Sequence, residues 1–265
     1  IKSLITENNR ILTNITDIIS EAHTFYTDLY TNEPCDLVLQ NTFLSYIANT
    51  VSDEDCAATD SEFSVDEITF ALTKCINNKS PGVDGLPYEF YLQFWDYIKD
   101  DLLVIFNRIF SNNILPDSWK TGLITLIPKA ESDPRYIKNW RPITLLNCDY
   151  KILAKTLALR LNKIMPTIVS PDQTCCVPGR DIVDNVFCMR DLIDHANSSN
   201  CPGAIVKFDQ MKAFDRVDHK YLLNTLKAFR FGENFVKWIS ILYNQVQSNI
   251  KINGFLSDSV PIKRS

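Results

Sequence analysis

Eight cysteines occur in the chain, yet no two of them form a C-x-x-C pair, which excludes the usual zinc-binding spacings. Imidazole is scarce as well: His23, His195 and His219 lie far apart. The thiols of Cys35, Cys56, Cys75, Cys148, Cys175, Cys176, Cys188 and Cys201 are therefore expected to be free, packed mostly as small apolar groups in a reducing compartment, with no disulfide-linked partner. No apolar run approaches the roughly 18 to 20 residues that cross a bilayer, and Ile1-Lys2-Ser3-Leu4 offers no charged flank ahead of an apolar core. Neither a membrane span nor a secretory leader is expected. Internal repeats and low-complexity segments are absent, and glycine numbers only seven. What remains, 265 residues with 45% hydrophobic side chains, is enough for one sizeable core or two smaller ones. The opening Ile1 and the stop at Lys263-Arg264-Ser265 directly after a strand-like run read as cut ends, so a piece of a longer protein is expected.

Positive charge is missing from a long stretch: between Asp28 and Glu67 there are ten carboxylates and no Lys or Arg. The net charge of -5 at first argues against a nucleic-acid partner, since phosphate contacts come from basic side chains. The distribution argues otherwise. From Trp119 to Lys163, nine Lys and Arg face three acids, an asymmetry that permits a polyanion to sit on one part of the surface. Two solvated faces of opposite sign would give the same pattern.

Apolar spacings of three and four from about Asn14 to Tyr30 predict an amphipathic helix. Ser64-Val65-Asp66-Glu67 has the form of a capping box opening a short helix. The run Asn77 to Gly85, with Pro81, Gly82 and Gly85, predicts a shaped loop. Helical spacing follows from about Pro87 to Ser111 as one long helix, from Asn147 to Met165 ending before Pro166, and from Asp181 to Ala196. Gly122 to Lys129 and the return at Trp140-Arg141-Pro142-Ile143 predict a hairpin with basic tips. Asp218 is placed to cap a helix with Leu222, Leu223, Leu226 and Phe229 inside. After another helix, about Glu233 to Gln245, Asn253-Gly254 joins two strand-like runs as a hairpin turn.

Ala204-Ile205-Val206-Lys207-Phe208-Asp209 alternates with period two and predicts a strand ending in a carboxylate. A hard oxygen on a rigid element suits a divalent ion, and magnesium in nucleotide chemistry takes one or two protein carboxylates plus substrate phosphates. A lone strand-end Asp more often has a structural role. The sequence from Phe208 to His219, with Lys212-Ala213-Phe214-Asp215 followed by Val217 and His219, resembles the first catalytic motif of reverse transcriptases, in its LINE-type non-LTR retrotransposon form. Further blocks resemble the same family in the same order: Ser80 to Pro87; Leu126-Ile127-Pro128-Lys129; Trp140 to Asn147 with Asp149-Tyr150-Lys151-Ile152; and Asp172-Gln173-Thr174 with Pro178-Gly179-Arg180. The resemblance covers roughly Asp66 to Ser265.

The resemblance implies an α+β fold: helix-rich fingers with a β-hairpin over residues 64–200, then an incomplete palm sheet bearing the first catalytic motif over 201–265, preceded by a helical extension over 1–63. It implies RNA-templated DNA synthesis with an RNA template, a DNA primer and deoxynucleotides, Mg2+ as cofactor with Mn2+ as the alternative ion, and a location in nucleus and cytoplasm. Asp209 would be the first metal-binding aspartate, with the oxygen of Phe208 or the backbone of Gln210 adding a metal or nucleotide contact. Phe214 would lie under the incoming sugar, unless it simply packs in the core. Arg141 would pair with the triphosphate through its planar donor fork, assisted by Lys129, for which a solvated hairpin tip is the plainer reading. Gly179 and Arg180 would contact template, while Asp215 and Asp218 read as turn and cap residues. Two departures stand out. Cys175-Cys176 replaces the usual Gly-Phe after Gln-Thr, and no paired aspartates follow Asp209, the only adjacent pair being Asp100 and Asp101. In-line displacement with two metals needs that second carboxylate set, so the chain alone is expected to be inactive. Competing readings are a degenerate or domesticated RNA-binding remnant, and an unrelated metal-dependent nuclease using Asp209.

Overall fold

The structure is a computed structural model that describes all 265 residues. A short hairpin, β1 (Leu4–Ile5) and β2 (Ile11–Leu12), leads into α1 (Ile15–Tyr30). Asn14 caps that helix, accepting from the Thr16 N–H at 2.9 Å. Ile18, Ala22, Tyr26 and Tyr30 recur every four residues and are the ones α1 buries, the stripe the spacing predicts. Two helices occupy the acidic stretch, where no periodicity announced them: α2 (Leu37–Leu44), capped by Asp36, and α3 (Asp53–Asp60), capped by Ser52.

In α4 (Val65–Thr73) the Ser64 hydroxyl accepts from the Glu67 N–H at 3.2 Å, but Glu67 does not complete a reciprocal box. Its carboxylate is instead held by Arg160, at 2.6 and 2.7 Å. The long helix expected from Pro87 is two helices, α5 (Tyr88–Gln93) and α6 (Trp95–Asn112), with a corner at Phe94 (φ -105°, ψ 13°). The corner is pinned where the Trp95 indole donates to Thr69 of α4 at 2.9 Å. Asn113, in the left-handed region at φ 55°, ends α6, and the short α7 (Asp117–Lys120) turns the chain into β3 (Thr121–Pro128). After β4 (Trp140–Leu145), α8 (Cys148–Ile168) runs past Pro166 rather than stopping before it. A proline in the last turn removes one ladder hydrogen bond near an end that is already frayed, so the helix survives it. The remaining elements are α9 (Ile182–Ser198), α10 (His219–Ala228), α11 (Glu233–Leu242), β5 (Gln247–Ile252) and β6 (Phe255–Pro261).

One mixed sheet, ordered β4-β3-β5-β6, joins the two hairpins: β3 pairs antiparallel with β4 and parallel with β5, from Thr121 opposite Gln247 to Thr125 opposite Lys251. Gly122 permits this junction, because a Cβ there would stand 2.7 Å from the Thr144 methyl and 2.8 Å from the Ser248 hydroxyl. Asn253 (φ 52°) and Gly254 (φ 90°) make the two-residue turn between β5 and β6. Two cores result. The smaller lies between α1 and the sheet, with Tyr26, Ile124, Ile250 and Val260 fully buried. The larger is helical, centred on Phe106, Ile152, Leu153 and Phe235. Packing runs across the expected segment boundaries, since α1 lies against β6 and β3 against β5.

One expected element is missing. Residues 201–210 form neither helix nor strand, and Val206 (66%) and Phe208 (91%) are exposed. Alternation makes a strand only where a neighbour offers a free edge, because unpaired backbone groups must otherwise be satisfied by water. Here the central strands β3 and β5 are already paired on both sides, and the Asp209 segment pairs with neither outer edge of the sheet. The preceding α9 buries no residue on any face.

Candidate active site

The segment around Asp209 is fastened downstream of the aspartate. Phe214–Arg216 form a single 3-10 turn that packs on α1. Arg216 donates to Glu33 just beyond α1 at 2.7 Å, and Arg264 donates to the same carboxylate at 2.9 Å. Those two hydrogen-bonded guanidinium groups hold the Glu33 carboxyl below its ordinary range. Asp218 caps α10 by accepting from the Tyr221 N–H at 2.7 Å, as its position predicts.

Lys212, in a left-handed conformation (φ 53°), turns its ammonium back over the rings of Phe25 and Tyr26, 4.5 and 5.7 Å from their centroids. Its nitrogen is buried without a hydrogen-bond acceptor. Burial lowers the Lys212 pKa, with the positive charges of Lys129 and Arg216 adding to the effect and Asp215 opposing it. Asp215 is the converse: burial raises its pKa and Lys212 pulls it down. Lys212 thus has Asp215 as its opposing charge in the turn after Asp209, with Lys129 and Arg216 as like charges nearby. Sequence reasoning passed over Lys212 and Arg216, although the Lys-Ala-Phe-Asp spacing contained both the charge pair and the turn.

The sequence-predicted residues do not converge on one point. Asp209 is exposed, as are Phe208, Gln210 and Phe214, the last at 84%. Gln210 lines an open groove of about 990 Å³ between α2 and this segment, together with Met211, Phe43 and Tyr46. The Lys129 ammonium donates to the Lys138 carbonyl at 3.1 Å. Arg141 is exposed and stands opposite Ile127 in the hairpin. Side-chain alternation places it on one face of the sheet, while Pro142 and Thr144, which line a cavity of about 270 Å³ with Asp215 and Tyr30, project from the other. Neither Arg141 nor Asp209 enters an ion pair. Gly179 (φ 77°) has open space around it. Arg180 is engaged within its own loop, donating to the carbonyls of Pro166 (3.0 Å), Val169 (2.8 Å), Gln173 (2.8 Å) and Ser170. Gly82 shapes its loop by close approach, a Cβ there colliding with Asn147.

No group of three or more His, Cys, Asp or Glu side chains is arranged to hold a metal ion. Asp209 supplies a single free carboxylate, which fits one donor position of a magnesium that draws its other ligands from phosphates and further carboxylates, and does not make a complete site. All eight cysteines are free. No helix is long and apolar enough to cross a membrane.

The sequence profile of the reverse transcriptase (RNA-dependent DNA polymerase) family matches residues 127–261, from the hairpin through Asp209 to β6. Among full-length relatives, the transposon TX1 uncharacterized 149 kDa protein of Xenopus laevis is 38% identical over 257 residues, covering 97% of this chain and 20% of the relative. The probable RNA-directed DNA polymerase from transposon BS of Drosophila melanogaster is 30% identical, over 62% of this chain and 18% of its own length. The retrovirus-related Pol polyprotein from type-1 retrotransposable element R1 of Bradysia coprophila is 27% identical, over 68% and 18% respectively. The chain therefore spans about a fifth of the length of these relatives. With the profile covering half the chain and the relatives drawn from mobile elements, the chain belongs to the reverse transcriptase (RNA-dependent DNA polymerase) family, in its non-LTR retrotransposon branch.

Proposed function

We propose that this chain is the fingers and first-aspartate portion of a retrotransposon polymerase that copies an RNA template into DNA, extending a DNA primer with deoxynucleotides. In this reading residues 64–200 are the fingers, 201–265 the start of the palm, and 1–63 an extension that braces both. The carrying observation is the exposed carboxylate of Asp209, in no ion pair, followed by a turn that packs on α1. Asp209, with the Phe208 carbonyl, would hold Mg2+, or Mn2+ in its place, whose chemistry is to neutralise charge on the reacting phosphates. Arg141 and Lys129 would bind the triphosphate, Phe214 the sugar, Gln210 the nucleotide through its backbone, and the loop at Gly179 and Arg180 the template. The protein would act inside the cell, in nucleus and cytoplasm.

Paired aspartates after Asp209 are not among these residues, so the chain alone is proposed to be inactive. The test is RNA-templated deoxynucleotide incorporation by the 265-residue chain and by the longer protein of its source, each with and without Asp209→Asn. The expected result is no incorporation by the short chain, incorporation by the long one, and its loss with Asp209→Asn. Incorporation by the short chain, or indifference of the long one to Asp209→Asn, would overturn the reading. RNA binding without incorporation in either form would favour a binding remnant.

A further inference from the structure

The loop between α8 and α9 carries the chain's only thiol–thiol contact: the sulfurs of Cys175 and Cys176 stand 3.2 Å apart, and both residues are exposed. A disulfide would bring them to about 2.0 Å, so these are two free thiols at near-contact. Their neighbours hold them there. Thr174 on one side and Val177 on the other are buried, at 8% and 6% exposure. The Thr174 hydroxyl accepts from Asn185 of α9 at 2.8 Å, and the Gln173 side chain donates to the Cys175 carbonyl at 3.2 Å. Arg180 closes the loop through the four carbonyls named above. Cys176 lies in the left-handed region at φ 62°, which turns its side chain back toward that of its predecessor.

Adjacent thiols in extended chain point to opposite sides; the left-handed residue and two buried anchors remove that freedom. We propose that Cys175 and Cys176 form a preorganised two-thiol site for a soft, thiophilic ligand of small bite, of which a trivalent organoarsenical is the probe. Sulfur ligands select soft centres. Once one sulfur is bonded, the second bond is intramolecular and forms at high effective concentration, so the pair outcompetes single thiols. With phenylarsine oxide, two S–H bonds and the arsenic–oxygen double bond give way to two As–S bonds and one water. Arsenic stays trivalent and no electrons are transferred. The other exposed thiols, Cys35, Cys188 and Cys201, have no thiol neighbour and can offer one bond each; Cys148 is buried. The site does not depend on the polymerase reading.

The experiment treats the reduced 265-residue chain with phenylarsine oxide in excess 2-mercaptoethanol and reads intact mass. A single adduct is expected that resists the monothiol and is removed by 2,3-dimercaptopropanol, and peptide mapping of the unsubstituted protein should place it on the peptide holding residues 175 and 176. Cys175→Ser and Cys176→Ser should each abolish it, while Cys75→Ser and Cys188→Ser should leave it unchanged. No dithiol-sensitive adduct, an adduct mapped elsewhere, or one that survives either Cys175→Ser or Cys176→Ser would overturn the proposal. Mapping on the unsubstituted chain keeps the test valid should a variant misfold.

Discussion

Arg160 is the most heavily bonded tie between the end of the acidic N-terminal stretch and the helical body. Its guanidinium, 6% exposed, ion-pairs with Glu67, donates to the carbonyls of Thr59, Ser61 and Glu62, and lies 4.5 Å from the centre of the Phe63 ring. Removing one member of a buried pair leaves the other charged and unpartnered, at about 3–5 kcal/mol. Arg160→Ala is therefore expected to lower unfolding free energy by roughly that amount in urea; a loss below about 1 kcal/mol, the level of a surface pair, would show that the tie is weak. His219 sets a pH dependence. It packs against Tyr243 with ring centres 4.4 Å apart and its ring nitrogen lies 3.2 Å from the Ser265 hydroxyl. Burial lowers its pKa, with Asp218 opposing. The unfolded chain then takes up a proton at a higher pH than the folded one. The contribution is complete above the ordinary value of about 6.5 and is lost as pH falls through the lower folded value. Urea midpoints should fall on acidification from pH 7, and His219→Asn should flatten that part of the profile; an unchanged slope would show that His219 does not contribute it.

At the scale of elements, α11 begins without a capping side chain of its own. Asp60, at the end of α3, supplies the cap from a distance, accepting from the N–H groups of Phe235 at 2.8 Å and Asn234 at 3.2 Å. Gly232 leaves room for that carboxylate, and a Cβ there would strike it. Asp60→Ala and Gly232→Ala should each cost about 1 kcal/mol. The double variant should lose less than their sum, since both remove the same contact; strict additivity in thermal unfolding would refute the shared cap. Elements written in local pattern were legible. The Ile18-Ala22-Tyr26-Tyr30 stripe, the Asp218 cap and the Asn253-Gly254 turn stand where spacing and turn chemistry put them. The helices α2 and α3 escaped notice because their caps, Asp36 and Ser52, precede runs without an apolar stripe. Residues 204–208 alternated correctly and still made no strand, because pairing is a property of the neighbour as much as of the segment. For the same reason the site was only partly readable: alternation pointed to Asp209 and the family resemblance to Arg141 and Lys129, but the approach of Lys212 to Phe25 joins residues nearly two hundred positions apart.

For the whole molecule, stability is divided unevenly. Ile124 and Ile250 lie at 0% exposure in adjacent strands, whereas α9 and the segment to Gln210 expose Ile182, Phe187, Leu192, Ile205 and Phe208. Amides of residues 203–210 should exchange with solvent at nearly unprotected rates, while those of β3 and β5 should exchange only on global unfolding; protection across 203–210 would mean that the segment is paired after all. The parallel contact between β3 and β5 has a temporal consequence. Thr121 meets Gln247, and the first hairpin ends at Leu145, so on a ribosome adding about 5–20 residues per second it waits roughly 5–20 seconds for its neighbour to be synthesised. During that interval the edge of β3 is open to any other strand that arrives first, and a chaperone that shields it would raise the yield of native chains without altering the finished product.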